Sequence, residues 1–287
     1  MTQLPPRDMA LALLVAAIWG MGYVVAKGAM AQFPPIFVMA LRYALAAGVL
    51  VWFAGPLNGQ FLRLAGISFV GATLAYALTF TGVNGVDAGL AALIVQLEVP
   101  FMVLFAALLF HERPTARKWT GIAIAFIGVG LIAGQVKLEG EGRAVLFLVL
   151  GAATWALGQV NLRGLRRMTP ISVTAWLAVL AAPQLFVASA LFETGQIAAL
   201  QSAGPGAWAA VLYLGLVMTC TGYLIWNGLI LRHEVGKVAP FVLLLPLFSV
   251  VGGVVFLGEV PHWGQLFGGL IVLAGVAVIT LNPRARG

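Results

Sequence analysis

Charge is scarce in this sequence. Asp, Glu, Lys and Arg make up 9% of its 287 residues, against about a quarter in soluble domains, so most of the chain cannot face water. Cysteine occurs once, at Cys220 inside an apolar run, which excludes an intramolecular disulfide and a cysteine-rich metal site. The three histidines, His111, His233 and His262, are scattered without ligand spacing, so neither a metal nor another cofactor is expected. No G-x-S-x-G occurs and no histidine stands mid-run. An intramembrane hydrolase would need such a nucleophile and base, so an enzyme is not expected. Sustained period-two alternation is missing as well, which argues against a β-barrel.

What fills the chain instead is long apolar helix. Hydrophobic residues make up 62% and the mean hydropathy is +1.03. A helix crossing about 30 Å of hydrocarbon needs roughly 20 apolar residues. Ten such segments fit, near 9–29, 36–54, 63–82, 88–110, 117–135, 143–162, 171–192, 207–230, 237–257 and 263–281. Between them lie turn-forming clusters such as Phe33-Pro-Pro35, Asn84-Gly-Val-Asp87 and Gly204-Pro-Gly206. No segment is polar enough for a soluble domain, so residues 1–287 read as one polytopic membrane domain. The first run lacks a persuasive cleavage site before Trp19-Gly20 and continues to Lys27, so it reads as an uncleaved span.

The net charge of +7 does not point to nucleic acid, because the basic residues sit in short loops between apolar runs. With the N-terminus placed inside, twelve of the sixteen Lys and Arg residues fall on the inner side. Lys27, Arg42, Lys137 and Arg143 fall at the outer side or at outer helix ends. That excess predicts a multi-pass plasma-membrane protein with both termini in the cytoplasm. It also leaves no basic residue at mid-span.

The chain carries one design twice. Trp19, Tyr23 and Lys27 form an i, i+4, i+8 stripe that Trp155, Gln159 and Arg163 repeat 136 residues later. Tyr76 with Thr79 is echoed by Tyr223 with Trp226 at an offset of 147, and Glu112-Arg-Pro114 by Glu259-Val-Pro261 at the same offset. The eleven extra residues fit the long loop from Glu193 to Gly206. Two units of five spans, 1–136 and 143–283, must insert in opposite senses, the plan of many secondary transporters. The predicted fold is therefore all-α, with ten transmembrane helices in two inverted five-helix repeats around a central cavity.

Polar groups inside a bilayer tend to face a bundle interior or a wet cavity. Trp19, Tyr23, Tyr76, Thr79, Trp155, Gln159, Tyr223, Trp226 and Asn227 stand at matching depth on four segments. They are the candidate substrate-binding set, with interhelical packing as the competing reading. Gln96 joins the set from the fourth segment. Glu98, the one mid-span acid, fits proton coupling or capture of a substrate ammonium. A protonated carboxyl bonded near the Pro100 break would serve as well. Gln96 and Glu98 point to different faces. Pro100 and Pro246 interrupt the fourth and ninth segments as fixed kinks or hinges. Glu112 and Glu259, each two residues before a proline, suit capping or loop fixing. Gly130-x3-Gly134 and Gly264-x3-Gly268, with Gly121 and Gly128 matching Gly268 and Gly275, assign the fifth and tenth segments to packing or oligomer contact. A monomer is expected, with a homodimer as the alternative. Aromatic faces with amide and hydroxyl groups, and no mid-span base, favour a small neutral or zwitterionic solute over a phosphorylated one.

With these residues in hand, the chain resembles the drug/metabolite transporter superfamily, in its EamA-type ten-helix branch. The resemblance spans nearly the whole chain. It rests on Ala17-Ile-Trp19-Gly20, on Phe110-His-Glu112-Arg-Pro114 with Gly121 and Gly128, and on the copy Leu257-Gly-Glu259-Val-Pro261 with Gln265, Gly268 and Gly275. It implies inverted repeats around a cavity, with the fifth and tenth helices peripheral, and export of metabolites from the cytoplasm. Within the branch the chain looks most like the YddG-type bacterial exporters, which implies aromatic and other amino acids moved by alternating access. Amphipathic drugs or other metabolites of the superfamily, or a facilitative, channel-like permease, are the alternatives. A lipid scramblase or membrane scaffold would carry no solute at all.

Overall fold

The computed structural model describes residues 4–135, 141–163, 165, 168–233 and 238–281. Lys137, Arg166, Arg167, Lys237, Arg284 and Arg286, which enter the charge count, lie outside the described residues, as do the repeat boundaries at 136 and 283. Among the described residues, ten helices are long and apolar enough to cross a membrane: Pro6–Met30, Pro35–Phe53, Phe61–Asn84, Ala88–Phe110, Ala116–Gly134, Glu141–Leu162, Pro170–Phe192, Pro205–Ile230, Pro240–Leu257 and Trp263–Thr280. No strand occurs among the described residues.

Local chemistry sets the ends of these spans. Proline opens the first, second, seventh and eighth, where its missing N–H would have had no helical partner. Carboxylates from distant loops satisfy other orphan N–H groups. Glu193 accepts from Ile36 N at 2.7 Å and Phe37 N at 3.0 Å. The 193–206 loop is thus more than an insertion. It caps the second span and carries a short helix, Gln196–Ser202. Glu259 accepts from Ala88 N with both oxygens, at 2.9 and 3.0 Å, capping the fourth span. The fourth and ninth spans stop at left-handed residues, His111 (φ 54°) and Gly258 (φ 68°), positions related by the 147-residue offset.

Four spans are irregular in matching pairs. Wide π turns cover Phe69–Leu74 in the third span and Tyr213–Thr221 in the eighth, and their last residues are 147 positions apart. The hydroxyls of Thr219 and Thr221 donate to Leu214 O (2.8 Å) and Leu216 O (3.0 Å), five residues back. Such turns rotate the residues that follow, here Tyr76 and Tyr223. The fourth span breaks between Val95 and Glu98, with Pro100 in the first turn of its second piece. In the ninth, tight 3-10 turns over Ala239–Leu244 give way to helix at Leu245, with Pro246 in its first turn. The two breaks touch, as Gln96 Nε2 donates to Val242 O at 3.5 Å.

The second span packs on the seventh, the third on the sixth, the first on the eighth and the fifth on the tenth. Gly130 and Gly134 do not make the last contact: a methyl on either would meet nothing within 4 Å. The seam is built by Gly121 against Gly275 O and Gly128 against Val272 N and Gly268 O, where a methyl would come within 2.7, 2.6 and 2.7 Å. Matching residues of the two copies thus meet crosswise. Direction follows from the ion pairs. Lys27, closing the first span, reaches the start of the fourth, while Arg163, just past the sixth, reaches Glu112 beyond the fourth span's other end. The first and sixth spans therefore run to opposite ends of the bundle.

Candidate functional site

Between the halves lies a cavity of about 460 Å³. The first span contributes Trp19 and Tyr23, the third Tyr76, Thr79 and Phe80, the fourth Gln96 and Glu98, the sixth Trp155 and Gln159, and the eighth Tyr223 and Trp226. Every candidate residue but Asn227 lines this space. Asn227 belongs to an adjoining chamber of about 380 Å³ that shares Tyr76, Trp155, Gln159, Tyr223 and Trp226. That chamber continues past Leu162, Met168 and Pro170, toward the Arg163 end. At the Lys27 end, the space lined by Asp87 and Glu259 amounts to about 10 Å³, barely the volume one water needs. The tenth span also reaches the main cavity, through Val276 and Thr280, and so does more than pack on the fifth.

Ring contacts hold the aromatic wall in place. Trp19 Nε1 donates to Met218 O at 3.2 Å, a carbonyl within the π turn of the eighth span. Its ring lies 5.3 Å from Tyr223 and 5.5 Å from Trp226. Tyr23 stacks on Phe80 at 6.0 Å, and Tyr76 sits 5.9 Å from Phe80 and 5.4 Å from Tyr43. Offset and tilted pairs at these separations are the favourable ones and fix ring orientation. Glu98 has no hydrogen-bond partner among the described residues, and none of its oxygens is sealed from the cavity.

Arg42 corrects the sequence reading. Counting from the loops placed it near an outer helix end and left no base at mid-span. In the structure it lies seven residues past Pro35, about 10 Å along the helix. Its side chain is 1% exposed and lines the cavity. Its Nε donates to Thr219 Oγ1 at 2.8 Å, and its guanidinium carbon sits 5.0 Å from the Tyr76 ring and 5.4 Å from the Tyr43 ring. The missed signal was an arginine well inside an apolar run with no acid in reach along its own helix.

The repeated Glu-x-Pro elements sit at the two ends. Lys27 Nζ lies 2.8 Å from Glu259 Oε1 and 2.6 Å from Val86 O, with Asp87 at 3.8 Å. Burial, and then the nearby Glu259 carboxylate, push the Asp87 carboxyl above its ordinary value, while Lys27 pulls it down. At the other end Arg163 pairs with Glu112, both about half exposed. His233 is held by Asp8 at 2.6 Å, and no cluster of three or more metal-ligating side chains occurs among the described residues.

The arrangement is an aromatic chamber inside a bundle of membrane-spanning helices. The model of the EamA-like transporter family matches twice, over residues 7–134 and 142–281. The chain is 31% identical to a probable amino-acid metabolite efflux pump of Salmonella typhimurium strain LT2, over 98% of this chain and 97% of that one. It is 30% identical, with the same coverage, to a probable amino-acid metabolite efflux pump of Escherichia coli K12. Identity to a probable terminal-alkyne amino-acid exporter of Streptantibioticus cattleyicolor is also 30%, over 86% of this chain and 83% of that one. A solved crystal structure shares the fold over 96% of both chains, with TM-score 0.65 at 19% identity. The chain belongs to the EamA-like transporter family, as an integral membrane transporter and not an enzyme.

Proposed function

We propose that this protein exports small neutral or zwitterionic metabolites, aromatic and other amino acids foremost, by alternating access between two inverted five-helix halves. The observation that carries the reading is the main cavity. It falls within the usual range of small-molecule sites, about 300–1,000 Å³, and draws its aromatic wall from both halves. The opposed directions of the first and sixth spans and the crosswise glycine seam support a two-fold relation in the membrane plane. The names of the relatives from S. typhimurium, E. coli and S. cattleyicolor support an amino-acid cargo.

In this reading the conformation is the loading state. The chamber reaches the Arg163 end, which the excess of basic residues assigns to the cytoplasm. Lys27, Glu259 and Asp87 close the opposite end. A solute enters past Leu162 and Pro170, settles between Trp19, Tyr23, Tyr76, Trp155, Gln159, Tyr223 and Trp226, and leaves when the halves rock. The contacting breaks beside Pro100 and Pro246 are the natural hinges, since they already lack part of the helical hydrogen-bond ladder. Glu98 is the group able to carry a coupling proton. A facilitative permease is the second reading, favoured if Glu98 never titrates.

The test is counterflow of radiolabelled amino acids into liposomes holding the purified protein, with and without a pH gradient. Saturable counterflow of phenylalanine, tyrosine or tryptophan is expected. A gradient effect lost in Glu98→Gln assigns the coupling to Glu98. Flux without saturation or counterflow would make the protein a channel, and no solute flux would discard the exporter reading.

A further inference from the structure

We propose that Arg42 is the anion anchor of the cavity and binds the carboxylate of the transported solute. This rests on the reading that the solute occupies the chamber between the halves, and it names the chemical group recognised there.

Arg42 carries an unbalanced charge. Arg42 is 1% exposed within a membrane-spanning helix, where a cation is expensive unless it is paired. The five ion pairs among the described residues all use other cations, namely Lys27, Arg163, Arg232 and His233. Its neighbours are a hydroxyl, Thr219 Oγ1 at 2.8 Å, the sulfur of Met39 at 3.8 Å, and the two tyrosine rings. Ring contacts offset only part of the desolvation of a guanidinium.

Geometry says where the missing anion belongs. Nε and Nη1 are engaged, whereas Nη2 has no hydrogen bond among the described residues, and no buried polar atom of the protein lacks a partner. Nη2 is therefore open to the cavity that Arg42 helps to line. Thr219 belongs to the π turn of the eighth span, so the second half fixes how the first half's guanidinium is presented. The planar fork suits a carboxylate. The repeat equivalent of Arg42 is Ala178, so the cavity has one such anchor and holds the solute in one orientation. Glu98 lines the same cavity with its carboxylate free, and an ammonium group is the complementary occupant.

The experiment uses the purified full chain in liposomes, with L-phenylalanine and L-phenylalaninol, which replaces the carboxylate by CH2OH, as competitors of labelled phenylalanine counterflow. Wild type is expected to favour phenylalanine by about 100-fold. Arg42→Gln is expected to shrink that preference below about tenfold, and Arg42→Lys to keep an intermediate preference. Equal potency of the two competitors on wild type overturns the anchor while leaving the amino-acid reading intact, and it needs no variant. A folded Arg42→Gln protein with the wild-type preference overturns it too. If phenylalanine fails but 3-phenylpropionate raises the thermal unfolding temperature of wild type and not of Arg42→Gln, the anchor stands and the amino-acid reading falls. If neither binds, both fall.

Discussion

At one end of the bundle Lys27 is enclosed by Glu259, Asp87 and the Val86 carbonyl, and the Glu259 side chain is 7% exposed. At the other end its repeat equivalent, Arg163, meets the equivalent glutamate, Glu112, with about half of each side chain in the open. A basic residue and a glutamate at the same repeat positions are thus enclosed where the cavity is shut and exposed where the chamber continues. The halves also agree in the π turns of the third and eighth spans and in their left-handed stops at His111 and Gly258. They part company in the cavity. Arg42 and Glu98 both come from the first half, and their equivalents are Ala178 and Leu245. Duplication preserved the backbone devices that shape and close a chamber, while the charged groups inside it became one-sided.

Removing the buried carboxylate is the hardest blow to this comparison. Glu259→Ala removes the nearest carboxylate from Lys27 and uncaps the fourth span, and should cost about 3 kcal/mol. Glu112→Ala breaks an exposed pair and should cost less than about 1 kcal/mol. Denaturant unfolding in detergent micelles measures both, and equal losses would erase the distinction between the ends.

The second contrast concerns equivalent helix contacts. A methyl on Gly158 would run into the backbone of Gly71, which cannot yield, whereas one on the equivalent Gly22 would meet only the flexible Met218 side chain. Gly158→Ala is expected to lose about 2 kcal/mol and Gly22→Ala under about 1 kcal/mol. Comparable thermal shifts for the two would show that the third and sixth spans separate more freely than their contact implies.

The smallest effects belong to the left-handed stops. Gly258→Ala should destabilise by about 1 kcal/mol, because an L side chain is strained at φ 68°. His111→Gly relieves the same strain at the equivalent position and should gain up to about 1 kcal/mol. A loss in the histidine variant would mean that the ring, rather than the backbone, is needed there.

The ten spans were legible because length and apolarity dictate them, and the stripes because Trp19, Trp155, Tyr76 and Tyr223 recur at fixed offsets. Arg42 was not legible. Long basic side chains commonly snorkel to an interface, and the groups that hold this one, Tyr76 and Thr219, lie 34 and 177 residues away on other spans. Capping or loop fixing was legible for Glu259, but its partner was not, because the helix it caps begins 171 residues earlier. The Gly130 and Gly134 pattern had the spacing of a helix contact but faces away from the neighbouring span, since spacing names a face without naming what lies against it. The π turns follow from hydrogen-bond choices that apolar sequence does not announce.

Solute binding is assigned above to the chamber between the halves. Counterflow of labelled phenylalanine into liposomes tests this most directly when wild type is compared with Trp155→Ala and Tyr223→Ala, each checked for folding by its thermal unfolding. The account expects wild-type exchange to fall at least about tenfold in both variants, each of which removes a large stacking surface. Wild-type exchange by both folded variants would contradict it and place the solute elsewhere.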